Sequence, residues 1–370
     1  MKLFIVITLT LSLLMALLTG CNNAPADSAG SAGLSEGQSA INAQDPENGA
    51  QHNQPVDSGR QLSIICTIFP QYDWTRQILG EHMGQMELTL LQDTLIDLHS
   101  YVPSMSDMVR IYSSDLFIYI GGESDDWVSD VLGQATNPDM VVINLMEALG
   151  DMLKHEEELE GADSHSHDDD YDNHDDDDDH DDDDYNDYHD DDHYDEHIWL
   201  SLKNAQVLAA VIADALSQLD PARSADYHNN LNAYIERLNM LDDAYHQALD
   251  DVSVRTLLFG SRFPFRYLLD DYDLNYYAAF SGCSAETEAS FGTIAFLAGK
   301  VNEHNLQTIM VTECSDQSIA GTIISNSRDG NQQILVLNAM QSVTAGDVEN
   351  GITFLSIMED NLNVLIDALS

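Results

Sequence analysis

Histidine and aspartate crowd into one segment of the chain, residues 155 to 196. Between residues 163 and 196 there are 19 Asp and one Glu, and no Lys or Arg. Imidazole nitrogens and carboxylate oxygens bind Zn²⁺, Cu²⁺ and Ni²⁺, and stretches of Asp alone can hold Ca²⁺ loosely. Because these like charges repel one another, the segment is predicted to be a solvated loop. Bound cations would reduce the repulsion. Its candidate ligands are His165, His167, His174, His180, His189 and His193.

The chain as a whole is acidic. Its 370 residues include 65 Asp+Glu against 13 Lys+Arg, a formal net charge of −52. Proteins that bind nucleic acid by neutralising phosphates need clustered Lys and Arg, so the composition excludes that class and favours cations as partners. Apolar residues make up 44% of the chain, which is enough to build a core and excludes global disorder.

His99 lies outside the Asp/His-rich loop, between a predicted strand and a predicted helix. Folds with parallel sheets bind their ligands in the loops that follow the carboxyl ends of strands. A neutral imidazole is a good ligand for zinc. His99 is therefore a candidate metal ligand on position and chemistry alone.

Alternating strands and helices surround these residues. Apolar, β-branched runs predict strands that alternate with helical patterns, which is typical of parallel sheets covered on both faces, an α/β fold class. The alternation occurs twice and predicts two Rossmann-like lobes. The predicted strands are 61–69, 87–91, 116–120, 140–144, 255–259, 276–280, 308–312 and 333–337, and the predicted helices of the lobes are 72–79, 106–112, 265–271, 290–302, 318–327 and 350–369.

Two helical segments, 202–219 and about 222–249, lie between the lobes and are broken at Asp220-Pro221. The second has apolar residues three and four positions apart and would be roughly 40 Å long as a helix. We expect a rigid strut between the lobes. The predicted division is a lobe over 61–201 that includes the loop 155–196, a linker over 202–251 and a lobe over 252–370.

The N-terminus predicts export. The apolar run 3–18 is shorter than the ~20 residues that cross a bilayer and fits a signal peptide over 1–20. Leu18-Thr19-Gly20-Cys21 looks like the lipobox of bacterial lipoproteins, so lipidation of Cys21 is expected, with an ordinary cleaved signal as the alternative. Residues 21–60 have the composition of a flexible tether. The location would be the extracytoplasmic face of a bacterial cell membrane.

An exported location permits disulfides. Cys283 and Cys314 each follow an apolar, strand-like run. They could therefore end neighbouring strands and form a disulfide.

Three stretches of the chain have distinctive motifs: TIFPQYDWTRQILG (67–80), DLHSYVPSMSDMVRIYSSDLFIYIGG (97–122) and DEHIWLSLKNAQVLAAVIADALSQLDP (195–221). Together with the frame of the C-terminal lobe, they resemble the zinc/manganese solute-binding lipoproteins of metal ABC importers. The resemblance covers about 61–150 and 195–370. It implies two lobes bridged by a long rigid helix, with the metal in the cleft between them. It also implies that His99 and His197 are two of the metal ligands.

The resemblance fails at the third ligand, where Arg262 stands in place of the expected imidazole or carboxylate. A guanidinium has no lone pair to offer and stays charged, so Arg262 cannot bind a cation. The acidic ligand of the family comes from the loop after the strand 308–312, which makes Glu313 the first candidate and Asp316 the second. The loop after Cys283 offers Glu286 and Glu288 as well. Glu196 replaces a Pro of the family motif, a change we expect to be minor.

The resemblance implies a monomeric, lipid-anchored receptor that captures a metal and delivers it to an ABC permease and its ATPase. An acidic His-rich loop before the second histidine is typical of zinc-type members, which favours Zn²⁺ over Mn²⁺. Such a protein exchanges ligands and is not an enzyme. The alternative is a surface metal-buffering or adhesion lipoprotein that binds metal mainly through its loop. A zinc hydrolase is disfavoured, because the sequence has no His-Glu-x-x-His unit or nucleophile elbow.

Overall fold

Two parallel four-stranded sheets form one after the other along the chain. The computed structural model describes residues 61–94, 98–157, 159–161, 193–283 and 288–370. The first sheet has the order β2-β1-β3-β4 and the second the order β6-β5-β7-β8, with all pairings parallel. The strands are β1 Leu62–Cys66, β2 Met86–Leu90, β3 Leu116–Tyr119, β4 Val141–Asn144, β5 Thr256–Phe263, β6 Asn275–Ser281, β7 Thr308–Thr312 and β8 Gln333–Leu337.

Helices connect and cover the strands, as the predicted α/β fold class requires. They are α1 Phe69–Leu79, α2 Met105–Tyr112, α3 Trp127–Leu132, α4 Leu145–Leu149, α5 Leu202–Leu219, α6 Ser224–Leu249, α7 Arg266–Asp271, α8 Phe291–His304, α9 Ser318–Asn326, α10 Ala345–Glu349 and α11 Phe354–Leu369. None of the helices in the described ranges is long and apolar enough to span a membrane.

Several predicted features lie outside the described residues. They are the signal peptide 1–20, the lipidation site Cys21, the tether 21–60, Glu286 and five of the loop histidines, His165, His167, His174, His180 and His189.

Some boundaries differ from the prediction for local reasons. The apolar run 61–69 is divided, because Ile68 caps α1 and Pro70 occupies the first turn of that helix, so β1 ends at Cys66. The strand predicted at 255–259 continues to Phe263 through an irregularity in its pairing after Phe259. The last predicted helix, 350–369, begins four residues later, as α11 at Phe354, and the short helix α10 before it was not predicted.

The predicted strut is the pair α5 and α6. The 26 residues of α6 give a length of about 39 Å. The buried side chains of α6 recur at intervals of three and four and form one apolar stripe: Tyr227, Leu231, Tyr234, Leu238, Leu241, Tyr245 and Leu249. Pro221 lies in a short 3₁₀ turn just before α6.

One hydrophobic core runs through both lobes and the strut. It includes Ile64 of β1, Leu208 of α5, Leu238 of α6, and Phe259 of β5. Direct contacts between α1 and the start of α11 add to this core. Because the lobes share buried side chains, they cannot separate without exposing apolar surface to water.

Polar contacts also join α1 to the C-terminal lobe. Asp73 Oδ2 accepts a hydrogen bond from the backbone N–H of Phe354 at 2.8 Å, and Arg76 donates to the carbonyl of Ile352 at 3.0 Å. The ring centroids of Trp74 and Phe354 lie 5.3 Å apart, edge to face.

Candidate metal site

The two predicted histidine ligands meet. His99 lies in a short 3₁₀ turn, Leu98–Ser100, that follows β2, and His197 immediately precedes the 3₁₀ turn Ile198–Leu200 that leads into α5. Their ring centroids are 5.5 Å apart. Metal–nitrogen bonds to zinc are about 2.0–2.1 Å long, so two imidazoles on one ion have ring centroids roughly 5 Å apart. The pair is spaced for one shared ion.

Asp195 fixes the orientation of His197. Its Oδ1 lies 2.9 Å from His197 Nδ1 and also accepts the backbone N–H of His197 at 2.8 Å. Because a carboxylate can only accept, Nδ1 carries the proton and Nε2 keeps its lone pair. His197 Nε2 lies 2.8 Å from Gln341 Nε2 and accepts a hydrogen bond from that amide. The ring is fully buried, and Nε2 is the atom available to a metal.

His99 is held from the N-terminal lobe. Its Nδ1 lies 2.7 Å from Ser124 Oγ and 3.9 Å from Glu196 Oε2. Its side chain is 15% exposed. His99 is thus the more accessible of the two imidazoles, and a cation from solvent would meet it first.

Glu196 is a potential ligand that the sequence analysis missed. It is only 2% exposed, and Oε1 accepts the backbone N–H of Ser124 at 2.9 Å. Within the described part of the chain Oε2 has no hydrogen-bond partner. Burial raises the pKa of this carboxyl above its usual range. A Glu directly before a candidate metal histidine is the signal in the sequence, although the family motif indicates only a replaced Pro.

His99, Glu196 and Cys283 bring a nitrogen, an oxygen and a sulfur within 4.8 Å of one another. Cys283 follows β6 and is half-buried. Burial and the nearby carboxylates of Glu156 and Glu196 raise the pKa of its thiol. No disulfide joins Cys283 to Cys314, and this corrects the suggested pairing. Cys314 is exposed, whereas Cys283 lies among acidic groups near His99.

Two glycines allow the close packing at the site. A Cβ at Gly122, whose φ is +80°, would lie 2.4 Å from Glu196 Oε1, and one at Gly282 would lie 2.7 Å from His197 Cε1. Gly122 follows β3 of the first lobe and Gly282 follows β6 of the second. The backbone of each lobe therefore approaches the site more closely than any other residue type would permit.

His197, the other candidate ligands and the altered position Arg262 lie outside this group of three. Arg262 is at the carboxyl end of β5, paired in register with Phe280. Glu313 uses Oε2 to accept the N–H of Ala339 at 2.8 Å and Oε1 to accept that of Gln341 at 3.0 Å. These two hydrogen bonds fix the position of the loop that carries Gln341. Asp316 is exposed and accepts the N–H of Ser318 at the start of α9, which lowers its pKa, and Glu288 is exposed.

The two ends of the Asp/His-rich loop are joined beside the site. His155 and Tyr194 form an isolated antiparallel bridge with stacked rings. The backbone N–H of Glu156 donates to the carbonyl of His193, and that of Asp195 donates to the carbonyl of Lys154. A cavity of about 110 Å³ lies here, lined by Glu156, His193, Glu196 and Cys283 among others. The loop therefore begins and ends next to the candidate ligands.

Two parallel α/β lobes on a long helical strut, with imidazoles converging from distant parts of the chain, define a two-lobed binding protein. Comparison with known proteins agrees. The profile of the family described as zinc-uptake complex component A, periplasmic (ZnuA), matches residues 64–368. The chain belongs to this family, and the resemblance found in the sequence is confirmed.

Two relatives and one solved structure illustrate the match. The zinc-binding lipoprotein AdcA of Streptococcus pneumoniae is 30% identical over 313 residues, which are 85% of this chain and 56% of AdcA. The chain thus spans about half the length of that relative. The high-affinity zinc uptake system protein ZnuA of Bacillus subtilis is 26% identical over 322 residues, 87% of this chain and 92% of that protein. The crystal structure of the Zn(II)-bound ZnuA-like domain of S. pneumoniae AdcA gives a TM-score of 0.61 at 27% identity, covering 84% of this chain and 99% of that domain.

Proposed function

We propose that this protein captures Zn²⁺ in the cleft between its lobes, using His99 and His197 as ligands, and serves zinc uptake. The observation that carries the proposal is the convergence of these two rings to a centroid distance of 5.5 Å from positions nearly one hundred residues apart in the chain. Family membership supports the same conclusion, because the family is described as component A of a zinc-uptake complex. Imidazole ligands favour Zn²⁺ over Mn²⁺.

The chemistry is ligand exchange without bond making or breaking in a substrate. Asp195 holds the proton of His197 on Nδ1, which leaves Nε2 as a neutral donor. A metal that binds Nε2 must replace the hydrogen bond from Gln341. The Asp/His-rich loop would gather cations weakly beside the cleft and raise their local concentration.

Delivery completes the proposed role. The protein would be anchored through a lipid on Cys21 at the extracytoplasmic face of the membrane and would pass zinc to an ABC permease driven by its ATPase. The shared core and the contacts between α1 and α11 support release through small tilting and loop movement, in contrast to wide hinge closure.

Calorimetric zinc titration separates the cleft from the loop. Replacing residues 162–192 by a short Gly-Ser linker removes 18 Asp and leaves the bridge between His155 and Tyr194 in place. We expect this variant to retain one tight zinc site. His99→Ala in the same background should abolish it, whereas His246→Ala on α6 should not. If all zinc binding disappears with the loop, the protein is a metal buffer. If tight binding survives His99→Ala, the cleft assignment is wrong.

A further inference from the structure

The sequence of this protein leaves the cleft one ligand short. Arg262 stands where the family resemblance expects an imidazole or carboxylate, and a guanidinium cannot donate a lone pair. Zn²⁺ prefers four ligands in tetrahedral arrangement, drawn from Cys, His and carboxylate side chains. A receptor with tight zinc binding therefore needs another donor close to His99.

The structure provides two such donors from opposite lobes. Glu196 is almost fully buried, and its Oε2 has no hydrogen-bond partner among the described residues. The sulfur of Cys283 lies with this carboxylate and a nitrogen of His99 inside a group whose atoms are all within 4.8 Å of one another. A buried carboxylate oxygen that nothing satisfies is costly, and a bound cation would remove that cost.

Gly282 explains how Cys283 reaches the site. The close approach of Gly282 to His197 brings the end of β6 against the imidazole, and Cys283 is the next residue. The sulfur therefore comes from the C-terminal lobe, whereas His99 comes from the N-terminal lobe. An ion held by both would bridge the cleft.

We propose that Cys283 and Glu196 are metal ligands together with His99 and His197, and that the Cys283 thiolate takes the coordination position that Arg262 cannot fill. This inference rests on the proposed zinc capture in the cleft. The set has one thiolate, one carboxylate and two neutral imidazoles. Its two negative charges therefore balance the two positive charges of a divalent cation. The thiol proton passes to solvent when the metal binds. A thiolate selects softer cations, so the site would prefer Zn²⁺ and Cd²⁺ to Mn²⁺.

Cobalt substitution tests the sulfur directly. Co²⁺ bound to a thiolate gives an intense near-ultraviolet charge-transfer band, whereas the imidazoles and carboxylates of the Asp/His-rich loop give none. Titration of the full chain with Co²⁺ is expected to produce this band and to saturate at one thiolate-bound ion. Cys283→Ser should lose the band, and Cys314→Ser, which changes an exposed thiol, should keep it. Zinc affinity of the cleft should fall at least roughly tenfold in Cys283→Ser.

A second measurement needs no substitution. Zn²⁺ should slow maleimide labelling of Cys283 in the unmodified protein and leave labelling of Cys314 unchanged. Cys66 will not interfere, because complete burial raises its pKa to about 12. Glu196→Gln should keep the charge-transfer band and weaken zinc binding.

The outcomes distinguish the two proposals. If the protein binds zinc in the cleft but shows no charge-transfer band and no protection of Cys283, the cysteine assignment is wrong and zinc capture stands. Unchanged zinc affinity in Glu196→Gln overturns the carboxylate assignment. If neither His99→Ala nor Cys283→Ser changes zinc binding, the proposed function itself fails.

Discussion

At the scale of single residues, the candidate site is a set of hydrogen bonds that a metal must rearrange. His197 has its Nδ1 proton held by Asp195, and its Nε2 accepts the amide of Gln341. Glu313 holds the loop that carries Gln341 through two backbone N–H groups. Gln341 therefore competes with the metal for the same lone pair.

Removing this competitor should strengthen zinc binding. A net hydrogen bond is worth about 1 kcal/mol, so Gln341→Ala is expected to tighten binding roughly fivefold in the loop-deleted background. Competition with a chromophoric chelator measures the change. Gln307→Ala, on the surface before β7, is the control. Weaker binding in Gln341→Ala would indicate instead that Gln341 supports the ion.

Asp125 predicts a pH dependence of stability. Burial, together with the nearby charge of Glu196, raises the pKa of its carboxyl to about 7, although Oδ2 accepts the N–H groups of Ile120 and Gly121. The folded-state pKa lies above the unfolded value of about 3.9. The contribution of Asp125 to stability is therefore present below pH 4 and is lost as the pH rises through 7.

Asp125→Asn removes this loss, because an amide does not ionise as the pH rises. Its oxygen can still accept both N–H groups. The free energy of unfolding of the variant, relative to that of the original protein, should rise by on the order of 2 kcal/mol between pH 5 and pH 8. Urea denaturation at the two values measures it. Asp126→Asn, which changes an exposed neighbour, should show no such difference. If the difference in free energy of unfolding between Asp125→Asn and the original protein is the same at both pH values, the raised pKa of Asp125 is contradicted.

Sequence reasoning predicted that His99 and His197 lie together, because their surrounding motifs are distinctive, and it did not place Glu196 and Cys283 beside His99. The positions of these two depend on Gly122 and Gly282, which let the backbone of each lobe approach the site closely. Such an approach is a tertiary fact without a local pattern. The suggested pairing of Cys283 with Cys314 failed for the same reason: following a strand does not determine which neighbour a side chain faces.

At the scale of elements, the strands were the most predictable part of the fold. Buried parallel strands are continuous apolar runs, and the predictions at 308–312 and 333–337 match β7 and β8. The short helices α3 and α4 were not predicted, since six and five residues contain too little periodicity. No local pattern marks the residues after β6 as part of the candidate site, although Gly282 there lies against His197.

Gly282→Ala should expose this role. Its Cβ would lie 2.7 Å from His197 Cε1 and 3.0 Å from the carbonyl oxygen of Phe263, so the end of β6 must move away from His197. We expect zinc affinity to fall more than tenfold and stability to fall by about 1–3 kcal/mol. Gly299→Ala in α8 is the matched control, because nothing lies within 4 Å of its Cβ, and alanine there should add up to about 1 kcal/mol. Equal zinc affinities in the two variants would contradict the close-approach argument.

At the scale of the whole molecule, the two lobes share one hydrophobic core, and we expect them to unfold as one cooperative unit. The hydrophobic core is continuous from β1 through α5 and α6 to β5. Asp73 adds a buried polar tie, since it accepts the N–H of Phe354 and pairs with Arg76, which in turn donates to the carbonyl of Ile352. The repeated strand pattern predicted two lobes but not this tie, because no local pattern marks partners 281 residues apart.

Asp73→Ala tests whether the lobes unfold together. The substitution leaves the N–H of Phe354 and the guanidinium of Arg76 without their buried partner, and we expect a loss of about 2–4 kcal/mol. Because the shared core remains, the loss should appear in a single transition, with fluorescence and far-ultraviolet circular dichroism giving the same midpoint. Asp243→Ala on the exposed face of α6 should change the midpoint little. Two separate transitions in Asp73→Ala would mean that the polar contacts of Asp73, and not the shared core, make the lobes unfold together. That result would favour a wider opening of the cleft during metal release.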